Sequence, residues 1–376
     1  MYRMLFLFML GLGVLLLFGM TVCLYQMLKH IVVGIFGEKK KKGITLLLVA
    51  VSVGFILYSV TIWNLGLIIL LHFMGFILLI RLVDLVIKKI EKSRNQKFIL
   101  WQKLQNWYII PILMTAIVLG YGYWNMYHVE ETNFVITTQK SIREEGYRVA
   151  LLADVHFGVS VDARELEEIG KKIESENPDM VVLCGDIVDE HTTYEGMEQV
   201  FRILGNIKSK YGTYYVFGNH DRQPYRNNPV FTEADVIENL SKNGILLLQD
   251  EKVQINEEFV LVGRKDASVG NRDRLLDLYQ DIDKNDFILT LDHQPLEYRV
   301  NKELGTDLLL SGHTHAGQFF PANLIMEMVP FGDAVYGGIK MDSFAAFVTS
   351  GLAGWKFPIK TSAPAEYVII DIKKDR

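Results

Sequence analysis

The sequence predicts a two-part protein: an all-α bundle of four transmembrane helices, followed by an α/β domain with four layers in the order αββα. Three observations lead to this prediction. Long, nearly uncharged stretches are confined to the first 126 residues. After residue 147, short apolar runs alternate with amphipathic segments of helical period. The net charge also changes sign between the two parts of the chain.

Four apolar stretches carry the prediction of membrane helices. Residues 4–28, 44–63, 65–80 and 107–126 are nearly free of charge, and each reaches or approaches the roughly 20 residues that a helix needs to cross a bilayer. The second and third stretches together are too long for one helix, and Asn64-Leu65-Gly66 predicts a tight turn between them. The first stretch lacks the small-residue cleavage site of a secretory signal, so we expect it to remain as an anchor.

The charge distribution predicts how these helices are oriented. Residues 1–129 contain 13 Lys and Arg against 3 Asp and Glu, whereas the remainder contains 26 against 41, a net charge of −15. Most of the basic residues lie in two predicted loops, one around Lys39 to Lys42 and one from Lys88 to Lys103. Short lysine-rich loops stay in the cytoplasm. We therefore expect a multi-pass protein of the cell membrane whose second part lies on the extracytoplasmic side.

The predicted organisation has three segments: a transmembrane region over 1–129, a connector over 130–146 and a domain over 147–376. In the domain, helices are predicted over 162–176, 195–208, 233–242 and 273–279, between strands that end near residues 153, 184, 217, 291 and 310. Such an order favours two sheets packed face to face with helices outside. The two cysteines, Cys23 and Cys184, both lie in apolar segments, which excludes a disulfide framework.

Five short motifs follow the predicted strands in a fixed order, and each supplies oxygen or imidazole nitrogen donors. They are Asp154-Val155-His156, Gly185-Asp186, Gly218-Asn219-His220-Asp221, His293 in Asp-His-Gln-Pro, and Gly312-His313-Thr314-His315. Any one of them is uninformative, because an isolated buried histidine is usually a core residue. However, five of the six histidines after residue 130 lie in these motifs, and His191 is the exception. These donors suit Mn, Fe or Zn, so the set predicts a metal site at the strand ends.

The ordered set resembles the calcineurin-like metallophosphoesterase superfamily over residues 148–372. The segments 153–156, 216–221 and 312–318, together with Val262-Gly263-Arg264 and the tail 349–352, resemble its bacterial phosphodiesterase branch. Helices before such a domain also resemble the transmembrane proteins with a metallophosphoesterase domain. Two positions depart from the pattern: Ala316 replaces a common second glycine, and Lys360 replaces a common arginine.

The resemblance implies a role for each candidate residue. Asp154, His156, Asp186 and His315 would hold a first divalent metal ion, and Asp186, Asn219, His293 and His313 a second, with Asp186 bridging. Two such ions roughly 3.5–4 Å apart can polarise a phosphoryl group for in-line attack. His220 is expected to act as general acid or transition-state stabiliser, with Asp221 orienting its imidazole. Arg222 and Arg264 are candidate substrate-binding residues.

The expected function is therefore that of a membrane-anchored phosphoesterase, and specifically a phosphodiesterase, acting at the outer face of the lipid bilayer. Its substrate could be a phospholipid headgroup, a lipid-linked saccharide phosphate or a wall polymer. One alternative is a pyrophosphatase acting on a nucleotide-linked lipid, because the fold also resembles UDP-diacylglucosamine pyrophosphatases. Another is a metal-binding sensor without turnover, although every ligand position is filled. Nucleic acid is not an expected partner, because a domain of charge −15 repels polyanions.

Overall fold

A computed structural model describes residues 2–36, 41–61, 65–328 and 332–375. The chain divides into two compact units, Met1–Gly120 and Tyr121–Arg376. Residues 39 and 40 of the lysine run and Asn64 of the predicted turn lie outside the described residues.

The first unit is helical. It contains α1 (Tyr2–Phe36), α2 (Lys41–Thr61), α3 (Leu65–Arg94), α4 (Ile99–Asn106) and most of α5 (Ile109–Met126). Among the described residues, three helical segments are long and apolar enough to cross a membrane: Leu17–Ile35, Leu65–Arg94 and Ile109–Met126. A shorter apolar segment, Ile44–Tyr58, lies in α2. An apolar helical region is thus present, whereas the number of four crossings stays a prediction.

The second basic segment differs from the predicted loop. Helix α3 continues to Arg94, and α4 begins at Ile99, so most of residues 88–103 are helical. The physical reason lies in the sequence, because Lys, Glu, Gln and Leu have high helix propensity and nothing between 65 and 94 breaks the helix. The Trp101 indole donates to Asp84, 3.0 Å away, which joins the two helices.

The second unit contains two six-stranded sheets. The first consists of β1 (Val129–Thr138), β2 (Tyr147–Leu152), β3 (Met180–Cys184), β4 (Thr213–Val216), β5 (Ile245–Leu247) and β12 (Ala365–Lys374), in the order β1-β12-β2-β3-β4-β5. Strand β12 is antiparallel to β2, and the other neighbours are parallel. The connector therefore contributes its only strand, β1, to the edge of this sheet, among the residues described.

The helices that follow these strands begin at capping residues. The Asp162 side chain accepts from the Glu165 amide at the start of α6 (Ala163–Ser175), and Thr193 accepts from Gly196 at the start of α7 (Tyr194–Gly205). Helix α8 (Glu233–Lys242) begins with a capping box formed by Thr232 and Asp235. Such caps satisfy amides that the helix leaves free, which explains why the sequence locates these three starts well.

The second sheet is built from β6 (Glu251–Asn256), β7 (Phe259–Gly263), β8 (Phe287–Leu291), β9 (Leu308–Ser311), β10 (Gly337–Met341) and β11 (Phe344–Val348), in the order β10-β11-β9-β8-β7-β6. Short helices α9 (Leu275–Leu278), α10 (Tyr298–Leu304) and α11 (Ala322–Met328) connect its strands. The sequence did not predict α10 or α11, each seven residues long.

Hydrophobic clusters show which elements pack together. One cluster joins the two sheets and includes Leu151 and Val182 from the first sheet with Leu261 and Leu289 from the second. Another joins the first sheet to α6, α7 and α8. These contacts confirm an α/β fold with mixed sheets, and the complete four-layer order stays a prediction.

The topology brings the motif loops together. Strands β2, β3 and β4 are parallel neighbours, as are β8 and β9. The carboxyl ends of parallel strands lie at one edge of a sheet, and the loops beyond them commonly build sites. Asp154, Asp186 and Asn219 follow the first three strands, and His293 and His313 follow the other two.

Candidate metal centre

Six of the predicted ligand residues form two groups, in which every side chain but the half-buried His313 is buried. Asp154, His156 and His315 form one group, and Asp186, His293 and His313 form the other. In each group the potential ligand atoms lie within 4.8 Å of one another. The structure therefore brings together side chains from four separate loops.

In the first group, two imidazole nitrogens face each other. Nε2 of His156 lies 3.3 Å from Nε2 of His315, which in turn lies 3.6 Å from Oδ1 of Asp154. Both Asp154 carboxylate oxygens accept from the His313 backbone amide. This hydrogen bond fixes the carboxylate toward the loop that carries the other group.

Asp186 lies between the two groups. Its Oδ2 is 3.1 Å from Nε2 of His293 in the second group and 4.0 Å from Nε2 of His156 in the first. Its Oδ1 accepts from the His220 backbone amide at 2.8 Å. Oδ1 of Asn219 lies 3.2 Å from the same His293 nitrogen. The Asp186 carboxylate therefore faces both groups, and the Asn219 side chain adds an oxygen donor beside the second group.

The backbone around the ligands is strained. Asp154, His156, Asp186, His313 and His315 all have positive φ, between 39° and 73°. Left-handed backbone is unfavourable for residues with a side chain, and its concentration at one place is typical of functional sites.

Glycines allow the loops to approach closely. A Cβ at Gly312 would lie 2.4 Å from Oδ2 of Asp154, and a Cβ at Gly351 would lie 2.5 Å from the Asp154 Cβ. No side chain larger than hydrogen fits at these two positions without moving the ligand. The motif glycine Gly312 is thus explained by packing against Asp154.

The outer ring nitrogens of three histidines are already occupied. Nδ1 of His156 lies 3.1 Å from Asp189, that of His293 lies 2.8 Å from the Cys184 carbonyl, and that of His315 lies 3.3 Å from the Ala353 carbonyl. The carbonyl and carboxylate oxygens accept, so Nδ1 of each ring carries a proton and Nε2 faces the site, where the neutral form of the imidazole presents a lone pair. This orientation is typical of metal-ligating histidines, and the donor set therefore fits a divalent ion in each group.

The electrostatics of the second group also suit a cation. Burial and the charge of His293 lower the pKa of His313 to about 4, so this imidazole is neutral and able to ligate. Although burial opposes the change, the neighbouring His293 holds the pKa of Asp186 well below its usual value. In turn, Asp186 raises the pKa of His293 well above its usual value, against the effect of burial. A buried carboxylate that stays ionised is the environment that a divalent ion requires.

His220 lies beside the two groups with its ring held by neighbours. Its Nδ1 is 2.9 Å from Oε2 of Glu190, and its ring centroid lies 5.4 Å from His156, 5.2 Å from Tyr225 and 5.5 Å from Trp355. Burial opposes protonation, but the Glu190 hydrogen bond and the Asp186 charge raise the pKa of His220. A protonated imidazole at this position could donate a proton.

Asp221 does not have the position that the sequence predicted. Its carboxylate is fully buried and accepts from four backbone amides, those of Asp186, Ile187, Val188 and Gly218. Its role in this structure is to fix the loops after β3 and β4 against each other. Glu190, which sequence reasoning missed, is the carboxylate at the His220 ring.

The two candidate arginines also differ from the prediction. The Arg222 guanidinium lies 4.0 Å from the Phe217 ring and donates to Glu233 at 2.9 Å. Arg264 is only 2% exposed, and its Nη1 lies 3.1 Å from Asp250. Both guanidinium groups are therefore paired with acidic side chains, and the Arg264 side chain is buried.

Lys360 and Gln318 are structural residues of the same region. Lys360 is fully buried, and its ammonium group donates to the Ser350 carbonyl, the Ser350 hydroxyl and the Gly351 carbonyl. The Gln318 amide donates to the carbonyls of residues 355, 357 and 359 and accepts from the Trp355 amide. These two side chains fix the segment 350–360 beside His220. The lysine at position 360, where the resemblance leads one to expect arginine, therefore has a packing role.

Similarity to known proteins agrees with this geometry. Residues 147–317 match the profile of a family described as calcineurin-like phosphoesterase. A metallophosphoesterase of Helicobacter pylori is 31% identical over 228 residues, which is 58% of this chain and 58% of that protein. A Danio rerio protein named transmembrane protein with metallophosphoesterase domain is 26% identical over 286 residues, covering 71% of this chain and 62% of its own. The chain thus spans about three fifths of the length of these relatives.

Among solved structures, a dimetal phosphatase from Danio rerio covers 57% of this chain and 89% of its own, at 12% identity and a TM-score of 0.37. The profile match includes the Asp154, Asp186, His220, His293 and His313 motifs and ends at Gly317, two residues after the last predicted ligand, His315. Residues 147–317, which carry the two ligand groups, thus match a calcineurin-like phosphoesterase domain, and a region of apolar helices precedes them.

Proposed function

We propose that the protein is a membrane-anchored, two-metal phosphoesterase, and specifically a phosphodiesterase, acting at the outer face of the membrane. The observation that carries this proposal is the position of the Asp186 carboxylate between the two ligand groups. Two cations can share a single carboxylate. The separation of its Oδ2 from His293 and His156, 3.1 Å and 4.0 Å, supports such sharing.

The geometry supports an assignment of the ligand residues. Asp154, His156 and His315, together with Asp186, would hold one ion, and His293, His313 and Asn219, together with Asp186, would hold the other. Bound divalent ions would supply Lewis acidity for the phosphoryl oxygens and lower the pKa of attacking water. Mn, Fe and Zn all suit this mixture of carboxylate, amide and imidazole donors.

Two further residues have roles beside the metal ligands: His220 supplies a proton, and Asp221 fixes the ligand loops. His220, protonated beside Glu190, donates its proton to the leaving-group oxygen, which is the role of a general acid. The Tyr225 and Trp355 rings flank the imidazole and limit its rotation. Asp221 keeps the loops of Asp186 and Asn219 in register. A non-catalytic domain has no need for a complete set of ligands together with a positioned proton donor.

The membrane location rests on sequence and connectivity. Basic residues are concentrated at 29–42 and 88–103, which favours placing these segments in the cytoplasm. Helix α5 separates the second basic segment from the phosphoesterase domain. A domain beyond an outward crossing lies outside the cell, where its net charge of −15 disfavours polyanionic nucleic acid and leaves envelope phosphoesters as candidate substrates.

The experiment is to assay the detergent-purified full chain with Mn²⁺, Fe²⁺ or Zn²⁺ on aryl phosphodiesters, aryl monoesters and diphosphates. We expect hydrolysis of the diesters and two metal ions per chain by elemental analysis. Asp186→Asn should lower the metal content at both groups and abolish hydrolysis. The matched control is Asp277→Asn, because Asp277 lies on the exposed helix α9 and pairs with Arg274. Full activity of Asp186→Asn would refute the two-metal mechanism.

A further inference from the structure

A cluster of exposed apolar side chains follows the last metal ligand. Phe320 precedes α11, and Leu324, Ile325 and Met328 lie on it; their exposed fractions are 49%, 46%, 55% and 82%. We call these four residues the apolar patch. Single exposed leucines are ordinary on soluble domains, whereas neighbouring large apolar residues on one short segment indicate an interaction site.

The apolar patch is braced against the metal-ligand loop. A Cβ at Gly317, two residues after His315, would lie only 2.5 Å from the Asn323 backbone nitrogen. The first turn of α11 therefore packs directly on the turn that carries His315. The apolar patch is consequently close to the metal-ligand residue His315, and the turn that carries His315 supports it.

The same segment is joined to the end of α5. The Phe320 amide donates to the Thr361 hydroxyl at 2.8 Å, and the Thr361 amide donates to the Gln318 carbonyl at 2.8 Å. On the other side of this segment, the Lys360 amide donates to the Gly122 carbonyl at 3.0 Å. Two successive hydrogen-bonded contacts thus connect the apolar patch to α5.

Helix α5 is packed tightly at this point. A Cβ at Gly122 would lie 2.4 Å from Cγ2 of Thr361, so the glycine lets the helix backbone contact the segment directly. The Asn125 amide donates to the Lys360 and Ala363 carbonyls, at 2.8 and 2.7 Å. Met126 is fully buried below Gly354. The C-terminal end of α5 therefore packs as part of the phosphoesterase unit.

The composition of α5 indicates what the apolar patch contacts. Residues Ile109–Met126 form a helix apolar enough to cross a bilayer, and exposed aromatic residues at its end, Tyr121, Tyr123 and Trp124, are typical of the membrane interface. The surface of the bilayer is then expected at the turn of α5 that contacts residues 360–363. Apolar side chains held beside that turn lie at the depth where amphipathic helices insert.

We propose that the apolar patch inserts into the bilayer interface beside α5, and that the phosphoester substrate belongs to a lipid of the same bilayer. The substrate class rests on the proposed phosphoesterase function, whereas the membrane contact does not. Insertion would hold the His313–His315 loop at headgroup level. A lipid phosphoester would then reach the metal centre without leaving the membrane.

The first test measures insertion without any activity. The full chain is placed in nanodiscs of phosphatidylcholine and phosphatidylglycerol, with a spin label on Ile325→Cys or, as control, on Leu276→Cys. Leu276 is 55% exposed in α9, and the native cysteines, Cys23 and Cys184, are buried. We expect the label at 325 to collide with oxygen more than with a water-soluble nickel chelate, and the label at 276 to show the reverse. Nickel access at 325, or exclusion of both reagents by a protein partner, would overturn the proposal.

The second test measures the substrate class in the same nanodiscs. Ile325→Glu should lower kcat/KM for a lipid phosphodiester roughly tenfold or more, the size expected when one inserted isoleucine loses its apolar contact. Hydrolysis of a soluble aryl phosphodiester should stay near the wild-type rate, and Leu276→Glu should change neither reaction. Wild-type hydrolysis of the aryl ester without hydrolysis of the lipid would overturn the lipid substrate and leave the phosphoesterase function standing. Insertion without hydrolysis of either ester would refute the proposed function and leave the membrane contact standing.

Discussion

The Glu190 carboxylate lies 2.9 Å from Nδ1 of His220 and is the acidic partner of that imidazole. The expected partner was Asp221, which instead binds four backbone amides. This exchange of roles leads to different predictions for the two acidic residues.

His220→Ala should lower the rate roughly 10²–10⁴-fold, the range for losing a positioned proton donor, while both metal ions stay bound. The loss should be largest for esters with poor leaving groups, because an activated aryl leaving group departs without protonation. Equal losses for good and poor leaving groups would exclude the role of general acid. Kinetics with a series of substituted aryl esters measures how the rate depends on the leaving group, and elemental analysis measures the bound metal.

Glu190→Gln should lower the rate less than His220→Ala does, and it should change the pH dependence of the rate. Glu190 raises the pKa of His220, and a general acid acts only while it is protonated. Without Glu190 this pKa falls, so the alkaline limb of the kcat/KM profile should move to lower pH. The control is Glu198→Gln, on the outer helix α7. An unchanged pH profile would show that Glu190 does not act through His220.

Asp221→Ala should destabilise the fold and lower metal content together. Removing this carboxylate leaves four buried amides without an acceptor, at a cost of about 1–3 kcal/mol for each group that water cannot reach. Thermal unfolding followed by elemental analysis measures both effects. His220→Ala provides the comparison, because it removes one side-chain hydrogen bond, that with Glu190, and should cost less stability than the loss of four amide contacts. Normal stability of the Asp221 variant would contradict the structural role.

Lys360→Met should destabilise the protein, because the three oxygen atoms around the ammonium group lose their donor. Burial lowers the pKa of Lys360 to about 7, below its unfolded value of 10.5. The unfolded chain therefore binds more protons between these values, so the contribution of Lys360 to stability increases as the pH rises from about 7. Urea unfolding at pH 7 and pH 9 should show a larger deficit of the variant at pH 9. Lys284→Met, at an exposed position, is the control.

The orientation of the chain can be tested with introduced cysteines. Cysteines at Lys41 and Asn95 should resist a membrane-impermeant thiol reagent on intact cells, and a cysteine at the exposed Glu251 should react. Permeabilised cells are the control, because all three positions should react there. The inverse pattern would place the phosphoesterase domain in the cytoplasm.

Sequence reasoning worked where the signal is local. The strands before Asp154, Asp186 and His293 are continuous apolar runs, which is what strands buried on both faces require. The starts of α6 and α8 are marked by Asp162 and Thr232, whose side chains satisfy free amides within the next few residues.

Sequence reasoning was less successful where the partner is distant in the chain. Glu190 lies thirty residues before His220, and no local pattern distinguishes its carboxylate from that of Asp221. The same applies to Asp189, which orients His156 from 33 residues away. The burial of Arg264 depends on Asp250 and Glu297, which come from two other loops. Helix α10 is short and begins after a left-handed Glu297, so its periodicity is too brief to detect.

The pairing of β1 with β12 has a consequence for the order in which the protein folds. Strand β1 directly follows helix α5, yet its partner strand, β12, lies well over two hundred residues later in the chain. Ten residue pairs, from Val129 with Ala365 to Thr138 with Lys374, join the two strands. During synthesis the first strand of the domain has no neighbour until the last strand has emerged. The closing step of folding is therefore a contact of very long range, which is a slow kind of step, and the β1 edge of the first sheet is the last to form.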